Sequence, residues 1–322
     1  MSLVSIIIVN WNGAEVLPEC LRSVLKLNYK PVEIVIVDNG STDDSVAVVR
    51  KICGDAAKVV RLEKNIGFAA GVNVGFENAA GEFIATLNND MVAEPSWLDQ
   101  PMELLMDKSV GIVSCRQMNY YDRSKIDGLY HYITKDFLFM PFANRLEYHE
   151  GDLFSRPGYV ISANGGSAVI KAEVFRDLGG YDADFFGYMD ETDFCVRAFL
   201  RGWSCAYAPD AVVYHMDGFS FKKMGKYMNY LFERNRMWFM YKNIPAWDII
   251  KRLHRMVLME LRAFKYSIVG LKNPILYLKA KFDGLRGLSR YGKIRKENVA
   301  LFRGRRRDFY DFEKKKKIDM SV

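Results

Sequence analysis

The sequence predicts an α/β fold: a mostly parallel, Rossmann-type sheet flanked by helices, followed by a basic helical region. Apolar segments typical of buried strands alternate with helical segments through the N-terminal third. A polar cluster follows each of the first four predicted strands. The charge also changes sign, because residues 221–322 hold 27 Lys and Arg against 9 Asp and Glu, whereas residues 1–220 hold 19 against 30.

Each element follows from its hydrophobic pattern. Strands separated by helices imply right-handed crossovers and parallel pairing. The middle of the chain is less regular and contains a long aromatic segment at 120–159. The predicted strands are 4–9, 33–37, 59–62, 83–87, 112–118, 167–170 and 206–214, and the predicted helices are 16–27, 42–53, 67–79 and 193–201.

Length and charge predict two parts, a large α/β domain at 1–225 and a helical, basic region at 226–322. Met1 leads almost directly into an apolar strand, so no signal peptide is predicted. No apolar run is long enough to cross a bilayer. The five cysteines are scattered and form no CxxC pair, which predicts buried thiols in a reducing compartment.

The clusters at the strand ends carry the candidate chemistry. A carboxylate after the second strand, Asp38, can accept a hydrogen bond from a nucleotide base or ribose, although an Asp-Asn-Gly turn is the alternative. A dehydrogenase would need GxGxxG after the first strand, which is absent. The clusters read Asn10-Trp11-Asn12-Gly13, Asp38-Asn39-Gly40-Ser41, Asn65-Ile66-Gly67-Phe68 and Asn88-Asn89-Asp90.

Two later motifs add an acid pair and a histidine. Asp190 and Glu191 precede a predicted helix, and adjacent acids raise one another's pKa, as a general base near neutrality requires. The alternative is that these acids cap the start of the helix and interact favourably with its dipole, and Asp193 is expected to do only that. His215 ends an apolar strand in His215-Met216-Asp217-Gly218-Phe219-Ser220. Its imidazole suits Mn²⁺ or a transition metal.

The order and spacing of these motifs over about residues 3–240 resemble the inverting family 2 glycosyltransferases, which have the GT-A fold, and most closely their rhamnosyltransferase-like branch. The resemblance implies inverting sugar transfer from a dTDP-, UDP- or GDP-linked donor to a hydroxyl of a glycan or polyprenyl-linked saccharide at the cytoplasmic membrane face. Two rivals remain. A sugar nucleotidyltransferase would need a Gly-rich, basic loop at 10–13, and a catalytically degenerate nucleotide-sugar-binding protein would suit Asn88.

The resemblance also implies roles for individual residues. Glu191 is the expected base, with Asp190 as the fallback. Asp90 and His215 are expected to hold Mn²⁺ or Mg²⁺, and Asn88 replaces the first acid of a DxD-type motif with a neutral oxygen. Asp38 is expected to contact the nucleoside. The remaining donor-site residues are Asn10, Asn12, Asn65, Gly67, Asn88 and Asn89, and the acceptor-side residues are Gly165, Gly166 and Arg234.

Alternatives stay open for the acceptor side and the tail. Gly165 and Gly166 also suit an ordinary turn, and Arg234 also suits a snorkelling surface position. Helically spaced apolar residues among cations predict a helix that lies on an anionic membrane or packs on the catalytic domain. This stripe comprises Ile249, Ile250, Leu253, Met256, Val257 and Leu261. The basic runs at 303–307 and 314–317 lack an RNA-binding motif, so no nucleic-acid partner is expected.

Overall fold

A computed structural model of the protein describes residues 1–149, 151, 153–216, 224–270, 272–315 and 318–319. Its strands are β1 (Val4–Asn10), β2 (Val32–Asp38), β3 (Ala57–Arg61), β4 (Phe83–Thr86), β5 (Met91–Ala93), β6 (Val110–Asn119), β7 (Ile126–Gly128), β8 (His131–Ile133), β9 (Phe139–Pro141), β10 (Gly158–Val160), β11 (Ala168–Lys171), β12 (Ser204–His215) and β13 (Ile318–Asp319).

The helices are α1 (Leu17–Leu25), α2 (Ser45–Cys53), α3 (Phe68–Glu77), α4 (Asp99–Leu104), α5 (Ala172–Asp177), α6 (Asp190–Leu200), α7 (Tyr227–Asn243), α8 (Ala246–Lys251), α9 (Leu253–Val269), α10 (Pro274–Gly287) and α11 (Gly292–Lys315). Short 3-10 turns occur at Gly165–Ser167 and Ala183–Phe185, among other places.

An eleven-stranded sheet runs in the order β13-β10-β12-β6-β11-β4-β1-β2-β3, with β5 paired to β12 and β7 to β6. Strand β1 pairs in parallel with β2 and β4, and β2 with β3. Strand β12 runs parallel to β6, while β11 enters antiparallel between β4 and β6. The predicted α/β fold, with its parallel N-terminal strands and flanking helices, is confirmed.

Apolar side chains fill both faces of the sheet. Ile6 and Ile8 of β1 point into a core shared with α1 and α2, whereas Ile7 between them points into a core shared with α3 and α5. The continuous apolar pattern of β1 reflects this burial on two sides. All five cysteines are buried and free, which confirms the prediction of buried thiols.

The C-terminal helices pack on the α/β body. Aromatic side chains of α11, namely Phe302, Phe309 and Phe312, share a core cluster with Phe199 of α6 and Phe239 of α7. The predicted apolar stripe is partly packed against the body and partly exposed to solvent. Ile249 and Met256 pack against this cluster, whereas Leu253, Val257 and Leu261 are exposed.

A buried ionic group corrects the expectation for Asp193. This carboxylate is fully buried and accepts hydrogen bonds from Arg197 Nε, Lys242 Nζ and Asn243 Nδ2 at 2.8–2.9 Å. Asp193 therefore does more than cap a helix, because it ties α6 to α7. The local sequence contains only one of these partners, Arg197.

Several predicted boundaries shift for local reasons. Helix α2 starts at Ser45 rather than 42, because the Asp43 carboxylate accepts from the Ser45 amide and holds the chain in a turn. Helix α6 starts at Asp190 rather than 193, directly after the left-handed Met189 at φ 70°. The segment 120–159 contains strands of only three residues, too short for periodicity to reveal. None of the helices among the described residues is both long and apolar enough to span a bilayer.

Candidate active site

A cavity of about 680 Å³ opens beside the carboxyl ends of the parallel strands. Parallel pairing brings these ends together, since Asn10 is level with Asp38 in the β1–β2 register. This is where ligands bind in open α/β sheets. Of the residues predicted from the sequence, the described part of the chain brings into the lining Asn65, Gly67, Asn88, Asn89, Asp90, Gly165, Gly166, Asp190, Glu191 and His215.

Four other predicted residues are not in the lining that the described residues form: Asn10, Asn12, Asp38 and Arg234. Asn10 accepts a 2.7 Å hydrogen bond from Asn89, and Asn12 accepts one of 2.7 Å from the Thr42 amide. Asp38 is 2% exposed and lies 3.6 Å from the Arg61 guanidinium. The first two side chains join neighbouring strand ends, and the predicted ligand roles of all four stay predictions.

Asn39, which the sequence analysis did not select, is a central connection. Its Nδ2 donates to Asn65 Oδ1 and to the Gly67 carbonyl, each at 3.1 Å, and its Oδ1 accepts from the Ile66 amide at 2.9 Å. Asn39 also lines the cavity. We call residues 10–13, 38–42, 65–67 and 88–90 the strand-end wall.

Gly67 joins this wall to the opposite side of the cavity. It adopts φ +92°, and a Cβ there would lie 2.4 Å from the Phe186 carbonyl oxygen. The next amide, that of Phe68, donates to the same carbonyl at 2.6 Å. A side chain at position 67 would break this contact, so glycine is required.

Asp90 and His215 meet at one end of the cavity. Strand β5 pairs with β12 so that His215 is level with Met91, and His215 Nε2 lies 3.5 Å from Asp90 Oδ1. On its other side, His215 Nδ1 lies 2.7 Å from Asp127 Oδ2. Asp127 comes from β7, in the segment 120–159, where no sequence signal marked it.

These residues fit a divalent cation. A buried carboxylate and an imidazole face one another, and a second carboxylate orients the far ring nitrogen, as in histidine metal sites generally. Burial opposes charge on His215, but hydrogen bonds to Asp127 and Asp90 outweigh it and raise its pKa to about 10. Ligation at Nε2 would displace that proton. Within the described residues, no group of three or more His, Cys, Asp or Glu could hold an ion by itself.

The acid pair begins α6 and shows unequal burial. Asp190 is 1% exposed, and neither of its carboxylate oxygens has a hydrogen-bond partner within the described residues. Burial, and then the charge of Glu191, raises the pKa of Asp190 well above its usual range. Glu191 is half-buried and lines the cavity. The ionised form of Asp190 is therefore disfavoured, and both acids of the pair line the cavity.

The two predicted acceptor-side glycines, Gly165 and Gly166, lie against Glu191 and Asn88 respectively. A Cβ at Gly165 would lie 2.7 Å from Glu191 Cβ, and one at Gly166 would lie 3.0 Å from Asn88 Nδ2. Thr86 fixes their turn, since its hydroxyl donates to the Gly165 carbonyl at 2.9 Å. The turn separates the acid pair from the strand-end wall, and only glycine leaves room there.

Residues 184–191, which we call the loop wall, contain three left-handed non-glycine residues: Phe186, Tyr188 and Met189 at φ 66–70°. Such conformations each cost about 1–3 kcal/mol and need support from their surroundings. Asn235 of α7 provides it, donating from Nδ2 to the carbonyls of Phe185, Gly187 and Tyr188 at 2.8–2.9 Å.

Arg234 supports the same wall from the neighbouring position of α7. Its Nη2 donates to the Asp184 and Phe185 carbonyls, and its guanidinium lies 4.2 Å from the Trp238 ring centroid. Other lining residues missed from the sequence come from segments that gave no chemical pattern, namely His131, Arg145, Tyr188, Met224 and Met228. The motif after His215 extends to residues 217–220, which lie outside the described residues.

Residues 5–179 match the family model for glycosyl transferase family 2. The chain belongs to this family. The chain is also 30% identical over 183 residues to the glycosyltransferase GlyG of Streptococcus pneumoniae serotype 4. This alignment covers 55% of this chain and 59% of GlyG. The matched stretches of three curated relatives span between 34% and 59% of those proteins.

Solved structures of similar fold include the mannosyltransferase PcManGT of Pyrobaculum calidifontis in complex with GDP-Man and Mn²⁺. It has a TM-score of 0.56 and 17% identity, with 96% of this chain and 86% of that one covered. Residues 1–349 of S. aureus TarS with UDP-GlcNAc give a TM-score of 0.58 at 16% identity, covering 97% and 90%. These likenesses confirm the predicted GT-A fold of this family 2 member.

Proposed function

We propose that this protein is an inverting glycosyltransferase that moves a sugar from a nucleoside-diphosphate sugar to a hydroxyl of a glycan or lipid-linked saccharide. One observation carries the proposal: the candidate cation ligands Asp90 and His215 and the acid pair Asp190–Glu191 line the same cavity. Inverting transfer needs both, since a base must deprotonate the acceptor while charge on the departing diphosphate is stabilised.

Glu191 is the proposed base. Burial, and then the charge of Glu191, raises the pKa of Asp190 and disfavours its ionised form, so we assign the proton of the acceptor hydroxyl to Glu191. Glu191 follows it in the chain, packs against Gly165 and lines the cavity. The acceptor oxygen attacks the anomeric carbon from the face opposite the diphosphate, and its proton passes to Glu191. The bond between that carbon and the diphosphate breaks, so nucleoside diphosphate leaves and no covalent sugar intermediate forms.

Asp90 and His215 would hold Mn²⁺ or Mg²⁺, with Asp127 orienting the imidazole. A bound cation supplies Lewis-acid stabilisation of the leaving diphosphate. A hard cation held by so few protein ligands would take its other oxygen ligands from the donor diphosphate and water. Two structures of similar fold support a donor site of this kind, since one holds GDP-Man with Mn²⁺ and the other holds UDP-GlcNAc.

The strand-end wall is the proposed donor side. Asn65, Gly67, Asn88 and Asn89 line the cavity, while Asn10 and Asn12 fix the strand ends behind them. Asp38, at the end of β2, is proposed to contact the nucleoside. The turn at Gly165 and Gly166 is the proposed acceptor approach. We infer that Arg234 serves the acceptor indirectly, through the loop wall. The rhamnosyltransferase-like branch and an acceptor at the inner membrane face belong to this proposal as well.

A nucleotide-sugar screen tests the proposal. Thermal shift with dTDP-, UDP- and GDP-linked sugars, with and without Mn²⁺, should raise the Tm for one donor class, and more strongly with Mn²⁺. That donor should then be consumed in the presence of a saccharide acceptor and release nucleoside diphosphate. A donor that binds without ever being turned over would identify a nucleotide-sugar-binding protein instead. Release of pyrophosphate during donor formation would identify a nucleotidyltransferase.

A further inference from the structure

The hairpin of α9 and α10 carries an apolar stripe on each helix. On α9, Leu253, Val257, Leu261, Phe264 and Ile268 recur every three or four residues and are 37–60% exposed. On α10, the stripe is 56–77% exposed and consists of Ile275, Leu278, Phe282 and Leu285. This spacing places each set on one side of its helix.

The hairpin is attached to the body through other residues. The Gly284 carbonyl accepts from Trp238 Nε1 at 2.9 Å, and a Cβ at Gly284 would lie 2.7 Å from Met237 Sδ. Glu260 of α9 pairs with the buried Arg236 of α7 and with Lys281 of α10. Because these contacts hold both helices in place, the apolar stripes are not the faces that dock the hairpin.

The charge of the hairpin faces outward and is positive. Residues 246–287 hold nine Lys and Arg against three acids. All three acids are ion-paired: Asp248 with Arg306 of α11, Glu260 with Arg236 of α7, and Asp283 with Lys279 of α10. On α9 three exposed cations are in no ion pair within the described residues, namely Arg255, Arg262 and Lys265.

We propose that the α9–α10 hairpin is a membrane-docking surface, with its apolar stripes in the interface of an anionic bilayer and its cations at the lipid phosphates. Apolar stripes of this extent are unusual on a monomer in water, and a basic, amphipathic face fits the headgroup boundary. A second copy would bring the same positive charge to the contact, so charge complementarity favours an anionic lipid surface. The α10 stripe extends this surface beyond the segment that the sequence indicated.

The test uses the full chain, because α7 and α11 are part of the body and a truncation would remove partners of Asp193. Cosedimentation is measured with phosphatidylcholine vesicles and with vesicles containing about one third phosphatidylglycerol, across a salt series. L261Q/F282Q tests the stripes, and M106Q is its control, since Met106 is 77% exposed on the catalytic body. R262Q/K265Q tests the cations, and K51Q/K108Q is its matched control.

We expect the wild type and both controls to bind anionic vesicles, more weakly at high salt. L261Q/F282Q should bind about tenfold more weakly or worse, and R262Q/K265Q severalfold more weakly at low salt, with little change in Tm because these positions are exposed. Absence of wild-type binding, or equal losses in the controls, would overturn the proposal. So would lipid-free self-association that L261Q/F282Q abolishes. Vesicle binding does not depend on sugar transfer, so the proposed function and the proposed surface can fail separately.

Discussion

The two walls of the cavity differ in what holds them. In the strand-end wall, side chains that follow one strand bond to the loop after its neighbour, as Asn39 does to Asn65. In the loop wall, the backbone is supported from α7 by Asn235, nearly 50 residues further along the chain. The proposed donor side is therefore held by neighbouring strands of the sheet, whereas the position of the proposed base, Glu191, depends on α7.

The largest expected effect is on kcat and comes from the acid pair at the end of the loop wall. Glu191→Gln should lower kcat by about 10²-fold or more, because glutamine cannot accept the proton of the acceptor hydroxyl. Donor affinity should hardly change. Asp190→Asn is the matched variant and should lower kcat less than Glu191→Gln, since burial disfavours the ionised form of the Asp190 carboxyl. Steady-state rates and donor titrations measure both. A greater loss in Asp190→Asn would transfer the role of base to Asp190.

A second test compares the proposed cation ligands, Asp90 and His215, with Asp127, which only orients the His215 ring. Asp90→Ala and His215→Ala should each abolish most Mn²⁺-dependent donor binding, since both remove ligands from one ion. Asp127→Asn, which removes only the support of the imidazole, should weaken Mn²⁺ binding by about 10–100-fold. Mn²⁺ titrations of donor binding measure the three. Full activity in excess EDTA would contradict the cation site.

The support of the loop wall can be broken from a distance. Asn235→Ala removes three hydrogen bonds from the loop that precedes Glu191, so kcat should fall about tenfold through misplacement of the base, with donor KM nearly unchanged. Asn229→Ala on the same helix is the control. A lower Tm with unchanged kcat and an unchanged pH profile of kcat would show that Asn235 supports the fold alone.

The smallest expected effect concerns how the hairpin is held. Burial favours the neutral form of Glu260, but Arg236 and Lys281 outweigh it and lower its pKa from 4.5 to about 2. A depressed folded-state pKa means that this stabilisation is complete above about pH 4.5 and is lost as the pH falls toward 2. The stability gap between wild type and Glu260→Gln in urea unfolding should therefore shrink from about pH 7 to about pH 3. The exposed control Glu103→Gln should show little gap at either pH, and a constant Glu260 gap would contradict the assignment.

Much of the strand-end wall was predictable because its information is local. A buried strand followed by polar residues indicates both the strand and the edge at which it ends, so Asn65, Gly67 and Asn88–Asp90 could be selected before the structure was known. Order along the chain supplied the family resemblance. Asn39 was missed because its neighbour Asp38 offered the more familiar chemistry, although both follow the same strand.

By itself, the sequence determined the α/β fold, the parallel strands and the motif residues, since hydrophobic periodicity and turn chemistry act over a few residues. Only the tertiary structure decided which acid of α6 is hard to ionise and which is ion-paired. Asp190 and Asp193 lie three residues apart on α6, yet burial raises the pKa of one while Lys242 and Arg197 outweigh burial and lower that of the other. The same holds for Asp127 beside His215 and Asn235 beneath the loop wall. Electrostatic and hydrogen-bond partners depend on distance in space, which strand pairing and helix packing set between residues far apart in the chain.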